Sequence, residues 1–246
     1  MKQNMIKIAL AASIALTGSA LFAKDLPKAE LAEIVKSYPN LLARDGVTVL
    51  KSQDLGNVKQ LKVMIKTQRG PQEFEAFVVK GSDLIFAGTA FDKAGKKVSF
   101  PINGSVIQAG IGLKLGTGSK QLYLVTDPEC PFCKKLESNL DKDKVLKEYT
   151  INVIPMPLGF HKEAKPMYRY ILAAKTNAEM VKRYNETMSG GTTYKTAKLS
   201  PSEIASANKK IEAGEQAARE LGARGTPSVY DNNFNKFNYG GLLKSK

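Results

Sequence analysis

The chain has 246 residues, 43% of them apolar and 8% aromatic, with a formal charge of +14. That is enough apolar chain for one large domain or two modest ones, and it excludes a disordered protein. The lysines are scattered singly with no aromatic stripe between them, so the charge describes a solvated basic surface suited to acidic clients or anionic membrane surfaces, and no nucleic acid partner is expected.

Lys2 and Lys7 precede a mostly apolar run from Ile8 to Leu16, and small residues lead on to Ala20 and Ala23. This reads as a secretory signal peptide over residues 1–23, cleaved near Ala23. The run is too short for a permanent anchor, and no later segment approaches the length required. Its removal leaves 35 basic and 23 acidic side chains, a charge of +12. The mature protein is expected to be exported, into a compartment where disulfides form and persist.

Residues 24–95 read as a small α+β domain. Leu31, Ile34 and Val35 mark a short amphipathic helix that ends before Pro39. Strands follow at 46–50, through Leu61, Val63 and Ile65, at 74–79 and at 84–86, with turns at Arg69-Gly70-Pro71 and Lys80-Gly81-Ser82-Asp83. Nothing in this region suggests chemistry. Between residues 96 and 119 the chain turns rich in glycine (Gly104, Gly110, Gly112, Gly116, Gly118), which reads as a linker with at most a weak helix near Val106.

Residues 120–246 alternate strand and helix. Leu122, Tyr123, Leu124 and Val125 form a short apolar run suited to a sheet buried on both faces, and Asp127-Pro128-Glu129 stops it. Past Cys133, Leu136 and Leu140 define one helical face, and Pro131 suits the first helical position, which puts Cys130 at the cap. A strand at 150–155 is followed by a mainly helical insertion at about 161–222. This runs through Met167, Tyr168, Ile171 and Leu172, then Met180, Val181 and Tyr184, and breaks at Gly190-Gly191. Ser200-Pro201-Ser202-Glu203 is a capping box that starts a last helix, ended by Gly222. A strand at 227–230 then turns through Asp231-Asn232-Asn233 towards another near 237–239. That order of elements is the order of the thioredoxin fold with a helical insertion.

The two cysteines, Cys130 and Cys133, are the only ones in the chain and stand where strand gives way to helix. A sulfur at the cap faces the free N–H groups of Phe132 and Cys133 and the positive end of the helix dipole, which favours the thiolate. Cys130 is therefore expected to attack a disulfide and Cys133, one turn on and more buried, to resolve the mixed disulfide. Other readings stay in view. A zinc site wants four N or S ligands, which two sulfurs and the single His161 supply only if two chains share the ion. A structural disulfide over two intervening residues would stabilise weakly. A cysteine hydrolase pairing Cys130 with His161 lacks a motif to position the histidine, which reads as a helix-start residue. Haem attachment is excluded by Lys134 after the second cysteine. No metal or organic cofactor is expected.

Thr126 to Lys134, Gly225-Thr226-Pro227, the leader, the β-rich first domain and the linker together resemble the DsbC/DsbG family of periplasmic thiol-disulfide oxidoreductases. The resemblance implies an N-terminal α+β dimerisation domain and an α/β thioredoxin-fold catalytic domain. It also implies a cis proline at Pro227 lying against the active-site cysteines, with Thr226 beside it holding the substrate backbone and Pro131 and Phe132 completing the substrate surface. It further implies a periplasmic V-shaped homodimer that acts as disulfide isomerase or reductase on misfolded or oxidised exported proteins. A DsbD-like membrane donor would keep it reduced. Alternatives are a dimeric DsbA-like oxidase recharged by a DsbB-like enzyme, a rescuer of cysteines oxidised to sulfenic acid, and a chaperone or peptide-binding module in which the cysteines are incidental.

Overall fold

The computed structural model describes residues 24–243 apart from Arg69 and Asp141, so the signal peptide expected at 1–23 lies outside the described residues. The chain divides into two compact units, residues 1–101 and 102–246.

In the first unit, β1 (Lys24–Asp25), α1 (Lys28–Ser37) and α2 (Pro39–Leu42) precede β2 (Val47–Asp54), β3 (Val58–Thr67), β4 (Gly70–Val79) and β5 (Ile85–Ala87). The strands make one antiparallel sheet in sequence order. Alternation puts Leu61, Val63, Ala76 and Val78 on one face, where Leu31, Ile34, Val35 and Tyr38 of the helical segment pack with Leu42. On the other face the buried Gln53 and Gln60 sit opposite each other in register. The Gln53 amide donates to Gln60 Oε1 at 2.6 Å and the Gln60 amide to Glu75 at 2.9 Å, which leaves Gln53 Oε1 as the one glutamine oxygen of that pair without a partner among the described residues.

The second unit contains α3 (Gly104–Ala109), β6 (Leu113–Leu115), β7 (Lys120–Thr126), α4 (Pro131–Asn139), α5 (Lys142–Glu148) and β8 (Tyr149–Pro155), then α6 (Ala164–Leu172), α7 (Asn177–Met188), α8 (Pro201–Glu220) and β9 (Ser228–Tyr230). Its sheet runs β6-β8-β7-β9, with β7 parallel to β8 and the other pairs antiparallel. Leu122 and Leu124 of β7 join Cys133, Leu136, Tyr168, Ile171 and Tyr184 in one layer, and Tyr123 and Val125 join Ile107, Ala217 and Leu221 in the other. Helices therefore cover both faces of β7, which explains why its sequence is continuously apolar. Both halves of the Ser200/Glu203 capping box are formed. Among the described residues no helix is long and apolar enough to cross a membrane.

Two expectations are corrected here. The stretch read as a linker at 96–119 is, from residue 102 on, part of the second unit and holds α3 and β6. Its glycines serve close approach. A Cβ on Gly110 would come within 2.3 Å of the Ala217 Cβ, where α3 crosses α8, and one on Gly118 within 2.0 Å of the Glu148 carbonyl carbon. Glycine reads the same in sequence whether it frees the chain or lets two backbones touch. The strand expected near 237–239 is replaced by a single bridge, Tyr230 to Lys236, followed by a 3₁₀ turn at Tyr239–Leu242.

Gly110→Ala is expected to lower the stability of the second unit by about 1 to 3 kcal/mol through overpacking. Gly159→Ala, whose methyl meets nothing within 4 Å, should change it by less than about 0.5 kcal/mol. Urea unfolding midpoints of the two variants check this.

Candidate active site

The chain leaves β7 through Thr126, Asp127, Pro128 and Glu129 and enters α4 at Pro131, with Cys130 in the capping position in extended backbone (φ −63°, ψ 121°). Asp127 is wholly buried and its carboxylate accepts three N–H groups: Glu129 N at 2.8 Å, Leu158 N at 2.7 Å and His161 Nδ1 at 2.9 Å. Glu129 Oε2 accepts the N–H groups of Glu163 and Ala164 at 2.7 and 2.9 Å and so caps α6, which has no capping side chain of its own. The Tyr168 hydroxyl donates to Thr126 O at 2.7 Å. Two acidic side chains and a buried phenol thus fasten the loop before Cys130 to the segment after β8. None of the three was singled out as a site residue from sequence. The repeated acid in Asp-Pro-Glu before a cap cysteine was the one signal available. His161, expected to start a helix, lies before α6 and is the Asp127 partner instead.

Both cysteines are free thiols and both are buried, Cys130 at 3% exposure and Cys133 at 1%. The expected difference in burial is therefore slight. The peptide bond between Thr226 and Pro227 is cis, and the Cys130 thiol donates to Thr226 O at 3.6 Å. It makes no capping hydrogen bond to the first turn of α4, contrary to expectation. The sulfur is turned instead to the carbonyl of Thr226, a residue 96 positions along the chain. Pro131 and Phe132 lie on the surface, with Phe132 71% exposed, and Thr226 and Pro227 are half-buried. The fold thus gathers Cys130, Cys133, Thr226 and Pro227 in one place, with the Pro131-Phe132 dipeptide on its rim.

Burial pushes the Cys133 thiol up from the usual 9.0 to about 11, against the opposing pull of the Thr126 and Thr226 hydroxyls and the Asp127 N–H. One turn further along α4, the buried Glu137 accepts from the Tyr184 hydroxyl at 2.9 Å and lies 3.5 Å from the Lys142 ammonium. Desolvation still raises its pKa, and the buried phenols of Tyr168 and Tyr184 are held well above the ordinary range by the same cause. The layer under the two sulfurs therefore resists negative charge. Among the described residues no three His, Cys, Asp or Glu side chains gather as a metal site.

Residues 111–233, half of the chain, match the family model of the thioredoxin-like domain. No curated protein matches the chain. Solved structures similar to it include the catalytic domain of Proteus mirabilis ScsC, 17% identical over 56% of this chain and 89% of that one, with a TM-score of 0.40. Helicobacter pylori DsbG is 15% identical over 81% of this chain and 99% of its own, with a TM-score of 0.39. A thioredoxin-like oxidoreductase from Silicibacter pomeroyi is 16% identical over 53% of this chain and 86% of its own, with a TM-score of 0.44. At these identities none of them says what this chain acts on.

Because the Cys133 thiol is held protonated in the folded state, its contribution to stability is present below pH 9 and is lost as pH rises from 9 towards 11. The reduced protein should lose about 2 kcal/mol more than Cys133→Ser over that interval. Urea unfolding of both reduced proteins across the interval measures it, and parallel curves would contradict it.

Proposed function

This chain belongs to the thioredoxin-like domain family, and on that premise we propose that it is a periplasmic thiol-disulfide oxidoreductase of the DsbC/DsbG kind. Its clients are exported proteins carrying wrong disulfides or oxidised cysteines, on which it acts as isomerase or reductase. The observation that carries this reading is the seating of Cys130 at the start of α4 with its sulfur on the carbonyl beside cis Pro227.

Cys130 is the attacking sulfur. As a thiolate it sits at the positive end of α4, and the first-turn amides become the partners that the thiol does not use. Attack on a client disulfide forms a bond from the Cys130 sulfur to one client sulfur and breaks the client S–S bond, and the released client thiolate takes up a proton. Two exits follow. A second client thiolate attacks the mixed disulfide, restores reduced Cys130 and leaves the client with a rearranged bridge. Alternatively Cys133, once ionised, attacks the Cys130 sulfur, frees the client as a thiol and leaves a Cys130–Cys133 disulfide, which a DsbD-like membrane reductant reopens. The half-buried Thr226 and Pro227 and the exposed Pro131 and Phe132 form the surface on which the client backbone lies. The first unit is the dimerisation domain in this reading, and the working form is a homodimer.

Cys130→Ser is expected to abolish insulin reduction and disulfide reshuffling, and Cys133→Ser to accumulate mixed disulfides with clients, resolved on non-reducing gels. Full activity in the double serine variant would sink the exchange reading in favour of a chaperone. Alkylation on lysis should find the pair mostly as free thiols; mostly disulfide would make the protein an oxidase. Sedimentation of the full chain should report a dimer, and a monomer would remove the dimer from the proposal.

A further inference from the structure

Thr126 ends β7 on the side that carries Leu122 and Leu124, which pack in the same layer as Cys130, Cys133 and Leu136. Tyr123 and Val125 face the other layer. Two-residue alternation therefore aims the Thr126 side chain at the sulfur-bearing end of α4. Valine would fill the same volume there without a polar atom. Instead a hydroxyl is buried, Thr126 being 1% exposed, and its Oγ1 has no hydrogen-bond partner among the described residues while both cysteines are thiols.

A buried hydroxyl left without an acceptor is costly, and the cost is relieved only in a state that supplies one. Cys133 supplies it. A thiol sulfur is a weak acceptor and a thiolate a strong one, and Thr126, Thr226 and the Asp127 N–H are the groups that favour negative charge on Cys133 against its burial. Thr126 is held in place by the Tyr168 hydroxyl, which donates to its carbonyl at 2.7 Å.

We infer that Thr126 is a catalytic residue whose hydroxyl donates to the Cys133 sulfur whenever that sulfur carries charge. The inference rests on the exchange reading above. In the opening step an external thiolate attacks the Cys130 sulfur of the Cys130–Cys133 disulfide. A new S–S bond forms to Cys130, the old one breaks, and its electron pair leaves on Cys133, which then takes a proton from water. In the closing step Cys133 gives its proton to water, attacks Cys130 in the mixed disulfide and expels the client thiolate. Both transition states place partial charge on Cys133. Attack by reduced Cys130 on an outside disulfide does not, because Cys133 stays protonated throughout.

Thr126→Val and Thr126→Ser in the full chain test this by stopped flow at pH 7. Reduction of the oxidised protein by dithiothreitol should be about tenfold slower in the valine variant, equivalent to about 1.4 kcal/mol. The serine variant, which keeps the hydroxyl, should stay within about twofold of wild type. Reaction of the reduced proteins with dithiobis(nitrobenzoate) should proceed at one rate in all three. Equal dithiothreitol rates in valine variant and wild type would overturn the inference, and so would a valine variant slowed alike in both reactions, which marks a packing effect. A reduced wild type that fails to react with the aromatic disulfide would overturn the exchange reading and this inference with it.

Discussion

The buried carboxylate of Asp127 is the constraint on which the site depends. A polar group taken out of water is costly unless it is hydrogen-bonded, and here three N–H donors from two separate segments converge on it. One of them, Glu129 N, lies on the loop that leads into Cys130. The other two, Leu158 N and His161 Nδ1, lie on the segment between β8 and α6. Satisfying one acid therefore fixes the distance between those two segments. Glu129 repeats the device two residues on by capping α6. The loop can then present Cys130 in extended backbone directly before α4, with its sulfur on the Thr226 carbonyl.

Beneath that loop the chemistry is governed by exclusion of water. Cys133, Glu137, Tyr168 and Tyr184 are all buried, and desolvation is the first cause of each one's shift towards the protonated form. Cys130 lies in that layer next to the exposed Pro131-Phe132 dipeptide, with its sulfur on the Thr226 carbonyl. Burial pushes the Cys133 thiol up, against the opposing pull of the Thr126 and Thr226 hydroxyls and the Asp127 N–H. The difference between the two sulfurs comes from position, since their exposures are nearly equal.

Much of this was legible from local rules. The apolar run of β7, Pro131 as the first residue of α4, the Ser200/Glu203 box and the alternation of β3 each depend on residues within a few positions of one another, and each element stands where the pattern put it. The misreadings share a physical cause. Gly110 and Gly118 lie where a side chain would strike Ala217 and Glu148, partners that are distant along the chain or hidden in a helix end, so their local appearance was that of a linker. His161 looked like a helix start because its partner, Asp127, is 34 positions away. The segment at 237–239 had strand-like residues but needed a neighbour to pair with, and β9 offers only one bridge.

By itself the sequence determined which residues could perform thiol-disulfide chemistry, because only two cysteines exist and they stand three positions apart at a strand-to-helix junction. It also determined the succession of strands and helices in the second unit, which follows from periodicity and capping within single elements. Tertiary structure alone decided the electrostatic character of those sulfurs. Burial, the Thr226 carbonyl, the orphaned Thr126 hydroxyl and the Asp127 latch all arise from residues brought together across 31 to 96 positions of chain or across a sheet face, and the field at an atom depends on distance in space rather than on order along the backbone.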